Sequence, residues 1–280
     1  MQKPDIKVSV IIPSLNLGKF VKQTLDSVVI QDYKNMEIIV VDGASTDITL
    51  KVLGSYPSVK VSSEPDRGIV EALQRGVGKS TGDLIMFMMI SDGYLDSSWI
   101  SKCVDFFRAH PMTSLCFGLP QYMHENGELG AVSYGRLLRN PPVSSDSIFE
   151  RWLTTGWHFP ECNMCVRKAV IERLFQTIDP LDDSIDVFLE FTSRFHTSGY
   201  MAQFLPIVAN FGRLHGGQRG EIERRSGILS KRLAAYHGMR RRLMFDLLIH
   251  KRSVVFRGED GNVVKPYAPS TPRLCALASR

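Results

Sequence analysis

Apolar residues in the first part of the chain switch between two spacings, one suited to strands and one to helices. Lys7 to Ile12 is a short β-branched run and reads as a strand. Lys19 to Val29 carries Phe20, Val21, Leu25, Val28 and Val29 at helical spacing. Met36 to Val41 predicts a second strand, Ser45-Thr46-Asp47 opens a helix bearing Ile48, Leu50, Val52 and Leu53, and Val59 to Val61 predicts a short third strand. Ile69 to Val77 is helical, Asp83 to Ile90 is a fourth strand, and Trp99 to Ala109 is a helix. The fourth strand is apolar almost throughout, as expected at the centre of a sheet covered on both faces. This alternation predicts an α/β fold: a mostly parallel sheet with right-handed crossovers, flanked by helices.

The second half reads differently. From Leu119 to Ser147 the periodicity fades while Gly, Pro, Asn and Ser rise, which predicts a long excursion over the sheet's ligand edge. A compact pattern returns over 148–215, with helices around Ala169 to Phe175 and Val187 to His196. Residues 213–252 hold 11 Lys and Arg against 3 acids, a balance of +8. The whole chain is +5, so the rest carries −3 and the basic character is local. Arg224, Arg225, Lys231, Arg232, Arg240, Arg241 and Arg242 alternate there with apolar residues, predicting one or two basic amphipathic helices. A solvated face satisfies that pattern, and so does an anionic membrane surface met through residues 220–252. Nucleic acid is not expected, since no recognised motif accompanies the charge. Residues 253–280, with Pro266, Pro269 and Pro272, read as a loosely held tail. The chain thus divides into a domain over 1–217, with halves at 1–118 and 119–217, and a basic helical extension with its tail over 218–280.

At 44% hydrophobic and 22% charged residues, the composition excludes disordered and fibrous classes. Five cysteines at irregular spacing argue against a disulfide framework and for a reducing compartment. No apolar run approaches the roughly 18 residues of a spanning helix, and Val8 to Ile12 is too short for a signal core. The expectation is a cytoplasmic protein, soluble or peripheral at the inner face of the membrane.

Ligands of such sheets bind at the carboxyl ends of the strands. Those ends read Pro13-Ser14-Leu15-Asn16, Asp42-Gly43-Ala44-Ser45, Glu64-Pro65-Asp66-Arg67-Gly68 and Ser91-Asp92-Gly93. Three of the four carry an acid, and like charges gathered at one edge repel unless a cation or a donor-rich ligand lies between them. Two other motifs carry less. Gly76-Val-Gly78-Lys79-Ser80-Thr81 looks like the tail of a phosphate-binding loop, but Leu73 stands where its first glycine belongs. Cys162-Asn-Met-Cys165 lacks the second pair that zinc needs and reads as two half-buried thiols. Trp152, Trp157, His158 and Glu161 suit either an acceptor wall or core packing.

The order Val-Ser-Val-Ile-Ile-Pro-Ser-Leu-Asn, then Ser27 with Gln31-Asp32-Tyr33, then Glu37-Ile-Ile-Val-Val-Asp-Gly-Ala-Ser-Thr-Asp47, resembles the amino-terminal signature of family 2 glycosyltransferases with the GT-A fold. Glu64 to Gly68, Ala72-Leu73, Gly76 and Thr81-Gly82-Asp83 continue it. Asp186-Val-Phe-Leu-Glu, Gly199 and His215-Gly216-Gly217 are similar to its acceptor half, so the likeness runs from about residue 7 to 217.

The resemblance implies an inverting enzyme that moves a sugar from a nucleoside diphosphate, most simply UDP, to a hydroxyl of a glycan or lipid-linked acceptor in polysaccharide or glycoconjugate synthesis. It implies that Pro13 and Asn16 line the nucleoside pocket and that Asp42 accepts a hydrogen bond from the base or ribose. Asp66 and Arg67 would close over the base or pyrophosphate, the latter suited to phosphate by its planar, permanent charge. In the family an Asp-x-Asp motif at the fourth strand's end holds Mn²⁺ or Mg²⁺. Met89 and Ser91 stand in its place here, leaving Asp92, with His215 as a further ligand. By position Asp186 is the general base, with Asp183 behind it. Helix capping is the other role open to Asp186. A second reading keeps the fold as a binding or partner module without turnover, because Met89 and Ser91 replace the motif's acids.

Overall fold

The computed structural model describes residues 5–139, 141–142, 144–181, 186–216, 225–249 and 254–267. Strands β1 (Val8–Ser14), β2 (Met36–Asp42), β3 (Val59–Ser63) and β4 (Leu84–Phe87) alternate with helices α1 (Gly18–Val29), α2 (Thr49–Leu53) and α3 (Ile69–Lys79). They lie side by side in the order β3-β2-β1-β4, all parallel, with Ser14 opposite Asp42 and Asp42 opposite Ser63. This register puts the carboxyl ends of all four on one edge. Beyond β4 the sheet continues through β8 (Cys165–Arg167), β6 (Leu115–Met123), β9 (Ala202–Arg213) and the short β5 (Gly93–Tyr94), while β7 (Leu129–Val132) pairs with β6. β8 runs antiparallel to both neighbours, and β6 and β9 are parallel. The result is the expected GT-A type of α/β sheet, wholly parallel in its first half and mixed in its second.

Alternation along each strand sends side chains to two cores. Val8, Val10 and Ile12 of β1 meet Phe20, Val21, Leu25 and Val28 of α1 and Trp99, Ile100, Val104 and Phe107 of α4 (Trp99–Ala109). Ile11, Ile85 and Phe87 face Leu73 and Val77 of α3, with α7 (Lys168–Leu174) and α8 (Val187–Thr197) on the same side. Gly76 lets α3 come this close, since a Cβ there would lie 2.3 Å from Ile11 Cγ2. β4 is buried along its whole length, as its apolar run predicts.

Three expectations need correction. The stretch from Leu119 does not begin an excursion: residues 115–123 are a nine-residue strand inside the sheet. Gly118 and Pro120 hide its period, and register shifts against β9 at Phe117/Leu119 and Leu119/Pro120 absorb the missing proline N–H. β7, α5 (Arg136–Arg139) and the start of α6 (Ser145–Thr155) then bridge the gap.

Within the basic segment the described residues form a 22-residue helix, α9 (Ile228–Ile249), and it is not a uniformly solvated face. Its Tyr236 is buried with Phe149, Trp152 and Leu153 of α6, Leu189 of α8 and Phe256. Arg232 and Arg240 turn inward, and Arg240 donates to the carbonyl oxygens of Trp152 and Leu153 at the end of α6, where helix carbonyls lack partners. Arg224 lies outside the described residues.

The reading of 253–280 as a tail fails for its first part. β10 (Val254–Arg257) and β11 (Val263–Tyr267) form a hairpin. Arg257 N donates to the Gly199 carbonyl at 2.7 Å. Gly199 has φ +78°, and a Cβ there would lie 1.9 Å from the Val255 oxygen, so only glycine fits. Pro269 and Pro272 lie outside the described residues.

Candidate active site

The tips of β1, β2 and β3 are tied together, and that of β4 is tied to α1. Gly43 N donates to Ser14 O at 2.8 Å, Asn16 N to Ser45 Oγ at 2.8 Å, and Glu64 N to Asp42 O at 2.9 Å. Thr24 Oγ1 of α1 donates to Asp92 O at 2.7 Å. Among the described residues, the non-glycine positions with positive φ are Asn16 (51°), Ala44 (63°), Ser91 (96°) and Tyr134 (55°). The first three sit on the tips of β1, β2 and β4, and Tyr134 lines a cavity that Asp92 also borders. Each such conformation costs about 1–3 kcal/mol, and strain of this kind collects where geometry serves a ligand rather than the fold.

The tips of β1 to β3 hold the residues expected to meet a nucleoside. Pro13 is buried in β1 opposite Val41. Asn16 is exposed, and its Oδ1 accepts from Thr46 N at 2.8 Å. Asp42 is fully buried and accepts from Ser45 N at 2.8 Å, from Ser45 Oγ and from Ser63 Oγ at 2.7 Å. A carboxylate has about four acceptor positions, so one remains. Asp66 reaches over Gly43, where a Cβ would lie 2.8 Å from its Oδ2. Arg67 is exposed and folded back, with Nε 2.8 Å from Glu71 Oε2.

At the β4 tip, Met89 and Ser91 offer no carboxylate, and Asp92 is enclosed. Its Oδ1 accepts from Arg213 N at 3.0 Å and its Oδ2 from the Cys162 thiol at 3.2 Å. Burial pushes Asp92 up to about 6. Arg213 is itself buried, and its guanidinium donates to the carbonyls of Ser91, His124 and Glu125 and to Gln23 Oε1. His215, two residues on, packs its ring against Phe20 at 4.8 Å. Burial and the nearby Lys19 charge lower its pKa, keeping the imidazole in the neutral form that a metal needs.

A cavity of about 240 Å³ opens beside Asp92, lined among others by Tyr134, His158, Glu161, Cys162 and Asn210. Glu161 is pushed up to about 7 by burial and then by the charge of Asp186. His158 is lowered by burial, offset in part by Asp186. Asp186 caps α8, its Oδ1 accepting from Phe188 N at 2.9 Å. Asp183 lies outside the described residues. A larger depression of about 560 Å³ between α1 and α2 is lined by Lys22, Ile48, Lys51, Val52, Ser55 and Tyr56. None of those lining residues is a carboxylate, whereas Asp92 and Glu161 line the smaller cavity.

The profile of glycosyl transferase family 2 matches residues 9–175. The chain belongs to that family. Relatives named PGL/p-HBAD biosynthesis glycosyltransferase from Mycobacterium bovis and Mycobacterium tuberculosis are 29% identical over 149 residues, covering 51% of this chain and 58% of theirs. The match therefore spans little more than half the length of those relatives. Among solved structures, residues 1–349 of S. aureus TarS in complex with UDP-GlcNAc align over 86% of this chain and 76% of that one, with a TM-score of 0.61 at 19% identity. The mannosyltransferase PcManGT from Pyrobaculum calidifontis, in complex with GDP-Man and Mn²⁺, aligns over 98% and 74%, with a TM-score of 0.59 at 18% identity.

Within this family 2 chain, sequence reasoning underrated one group. The sequence places Glu161 among aromatics that suit a wall, and nothing in its neighbours Pro160 and Cys162 marks it out. The Cys162–Cys165 pair also separates. Cys162 bonds Asp92, while the sulfurs of Cys103, Cys116 and Cys165 lie within 4.8 Å of one another in the buried core. All four thiols are buried rather than half-buried.

Proposed function

We propose that this chain transfers a sugar from a nucleoside diphosphate donor, a UDP-sugar in the leading reading, to a hydroxyl of a glycan or lipid-linked acceptor with inversion. The observation that carries the reading is the gathering of four strand tips on one sheet edge, three of them strained, with Asp92 of the fourth bordering a cavity that Glu161 also lines. The printed names of the structural neighbours, one with UDP-GlcNAc and one with GDP-Man, support a nucleotide-sugar donor. The names of the mycobacterial relatives support an acceptor in glycoconjugate synthesis.

In this reading Pro13 and Asn16 line the nucleoside pocket, and the last acceptor position of Asp42 takes a donor from base or ribose. Asp66 closes over Gly43. Arg67 leaves Glu71 for the diphosphate, a bidentate exchange between two anions. Asp92 is a half-buried carboxyl without an ion pair among the described residues, which suits a cation beside it. With His215 it would hold Mn²⁺ or Mg²⁺, hard ions that share their shell with phosphate and water. Such an ion supplies charge stabilisation to the leaving diphosphate.

Asp186 acts as the base. It takes the proton of the acceptor hydroxyl while that oxygen bonds the anomeric carbon and the bond to the diphosphate breaks, the electron pair leaving with the nucleotide. Asp186→Asn is expected to keep donor affinity in titration calorimetry and to lower transfer by about 10²–10⁴-fold. Near-normal transfer by that variant would move the role elsewhere.

The second reading, a module that binds without turnover, is favoured by Met89 and Ser91. It predicts donor binding with no transfer or donor hydrolysis, with or without Mn²⁺. Exposed Lys231, Arg241 and Arg242 of α9 further support docking on an anionic membrane. Charge reversal of the three should abolish co-sedimentation with anionic vesicles, and unchanged sedimentation would remove that idea.

A further inference from the structure

The cavity next to Asp186 holds a carboxyl for which the reaction above has no use. Glu161 opens the short 3₁₀ turn Glu161–Asn163. That turn is pinned from below: Asn163 Oδ1 accepts from Gly118 N at 3.1 Å, and Asn163 Nδ2 donates to Asn210 Oδ1 at 2.8 Å. Glu161 is thus held at a fixed point of the cavity wall rather than on a mobile loop.

Its side chain makes no ion pair or hydrogen bond with another described side chain. The titratable groups around it are Asp186 at the start of α8, Asp92 after β4, Tyr134 before α5, and His158 and Cys162 on its own segment. In the ligand-free chain none of these side chains is a cation at neutral pH, His158 being lowered by burial. A half-buried carboxyl whose hydrogen bond is to its own backbone N–H keeps acceptor positions open to a ligand in the cavity. The rest of the cavity wall offers Tyr122, Ser133, Tyr134 and Asn210, hydroxyls and an amide around one opening. Polar groups with flat rings between them suit a sugar ring better than an apolar ligand.

We propose that Glu161 is a sugar-binding residue of this cleft, its carboxyl exchanging hydrogen bonds with a hydroxyl of the ring held beside Asp186. The proposal rests on the transferase reading given above. In the ligand-free chain burial, and then the charge of Asp186, push Glu161 up to about 7. A protonated carboxyl both donates and accepts, which matches a hydroxyl, whereas an ionised one only accepts. Glutamine reproduces the first form and alanine neither.

The test compares full-length wild type, Glu161→Gln and Glu161→Ala. Transfer kinetics are followed from about pH 6 to 9, and donor binding by calorimetry. Glu161→Gln is expected to stay within a few-fold of wild type near pH 6 and to lose the decline that wild type shows above about 7. Glu161→Ala is expected to lose about 10–100-fold in kcat/KM, the worth of a hydrogen bond to a buried polar partner. Both variants should melt higher than wild type at alkaline pH, since a desolvated carboxyl is gone, which separates loss of contact from loss of fold. An alanine variant with unchanged kinetics would overturn the proposal. So would a glutamine variant as damaged as the alanine one, which would make the ionised carboxylate the working form. Wild type that binds no nucleotide sugar at all would instead end the transferase reading itself.

Discussion

Replacing Asp92 by asparagine is expected to stabilise the ligand-free protein at neutral pH while weakening its hold on a donor. The carboxyl is enclosed by Cys162, Ser91 and the Arg213 amide, and burial lifts it from 3.8 to about 6. Between those values the folded chain binds more protons here than the unfolded chain, so stability falls as pH rises through that window. At about 1.4 kcal/mol per tenfold change, the gap amounts to about 3 kcal/mol at neutral pH. Asp92 borders the cavity, and water there screens part of this. Loss of the thiol hydrogen bond removes about 1 kcal/mol more. The net gain for Asp92→Asn should be about 1–2 kcal/mol at pH 8, shrinking towards zero near pH 4, where the carboxyl is protonated in the folded state and half protonated in the unfolded one. Urea unfolding of both proteins without divalent cation, at each pH, measures it. A variant no more stable than wild type at alkaline pH, or an advantage that ignores pH, would refute the argument.

Glu37 carries the opposite sign. Burial raises it, but hydrogen bonds from Lys60, Ser9 and Thr81 prevail and hold it at about 2. Its contribution is present above 4.5 and is lost as pH falls towards about 2. Glu37→Gln should therefore cost about 2 kcal/mol near neutrality and much less in acid, read by the same unfolding series. Gly199→Ala meets the Val255 carbonyl and a positive φ together, so it should undock the hairpin and lower the melting temperature by several degrees. An unchanged melt would show that β10 does not rest on Gly199. Asp42→Ala should abolish donor binding in calorimetry, because Ser45 and Ser63 lose their common acceptor and the β2 tip its shape.

Local pattern carried far in the first half of the chain and poorly in the second. Trp99–Ala109 was legible to the residue because its apolar face is periodic and Pro111 follows closely. The strand tips were legible because turn-forming and acidic residues follow β-branched runs directly. β6 was not, since Gly118 and Pro120 break its period and only pairing with β9 makes it a strand. α9 was legible as a helix but not in its facing. Arg232 and Arg240 count as surface by type, and the α6 carbonyls that Arg240 meets lie 88 and 87 positions away in the sequence. Glu161 is legible as one of a candidate wall, but its setting is not, for a related reason. A single acid among aromatics gains meaning only when Asp92, 69 positions away in the sequence, and Asp186, 25 positions away, are folded around it.

The account stands on one cradle formed where β1 to β4 end. The most direct measurement is a thermal-shift panel of UDP- and GDP-sugars, each with and without Mn²⁺. A ligand at about 100 times its Kd adds about 2.7 kcal/mol, enough to move the midpoint by several degrees. One nucleotide sugar should raise the melting temperature, and Asp42→Ala should erase the effect. A panel in which no nucleotide sugar shifts the wild-type protein would contradict the account.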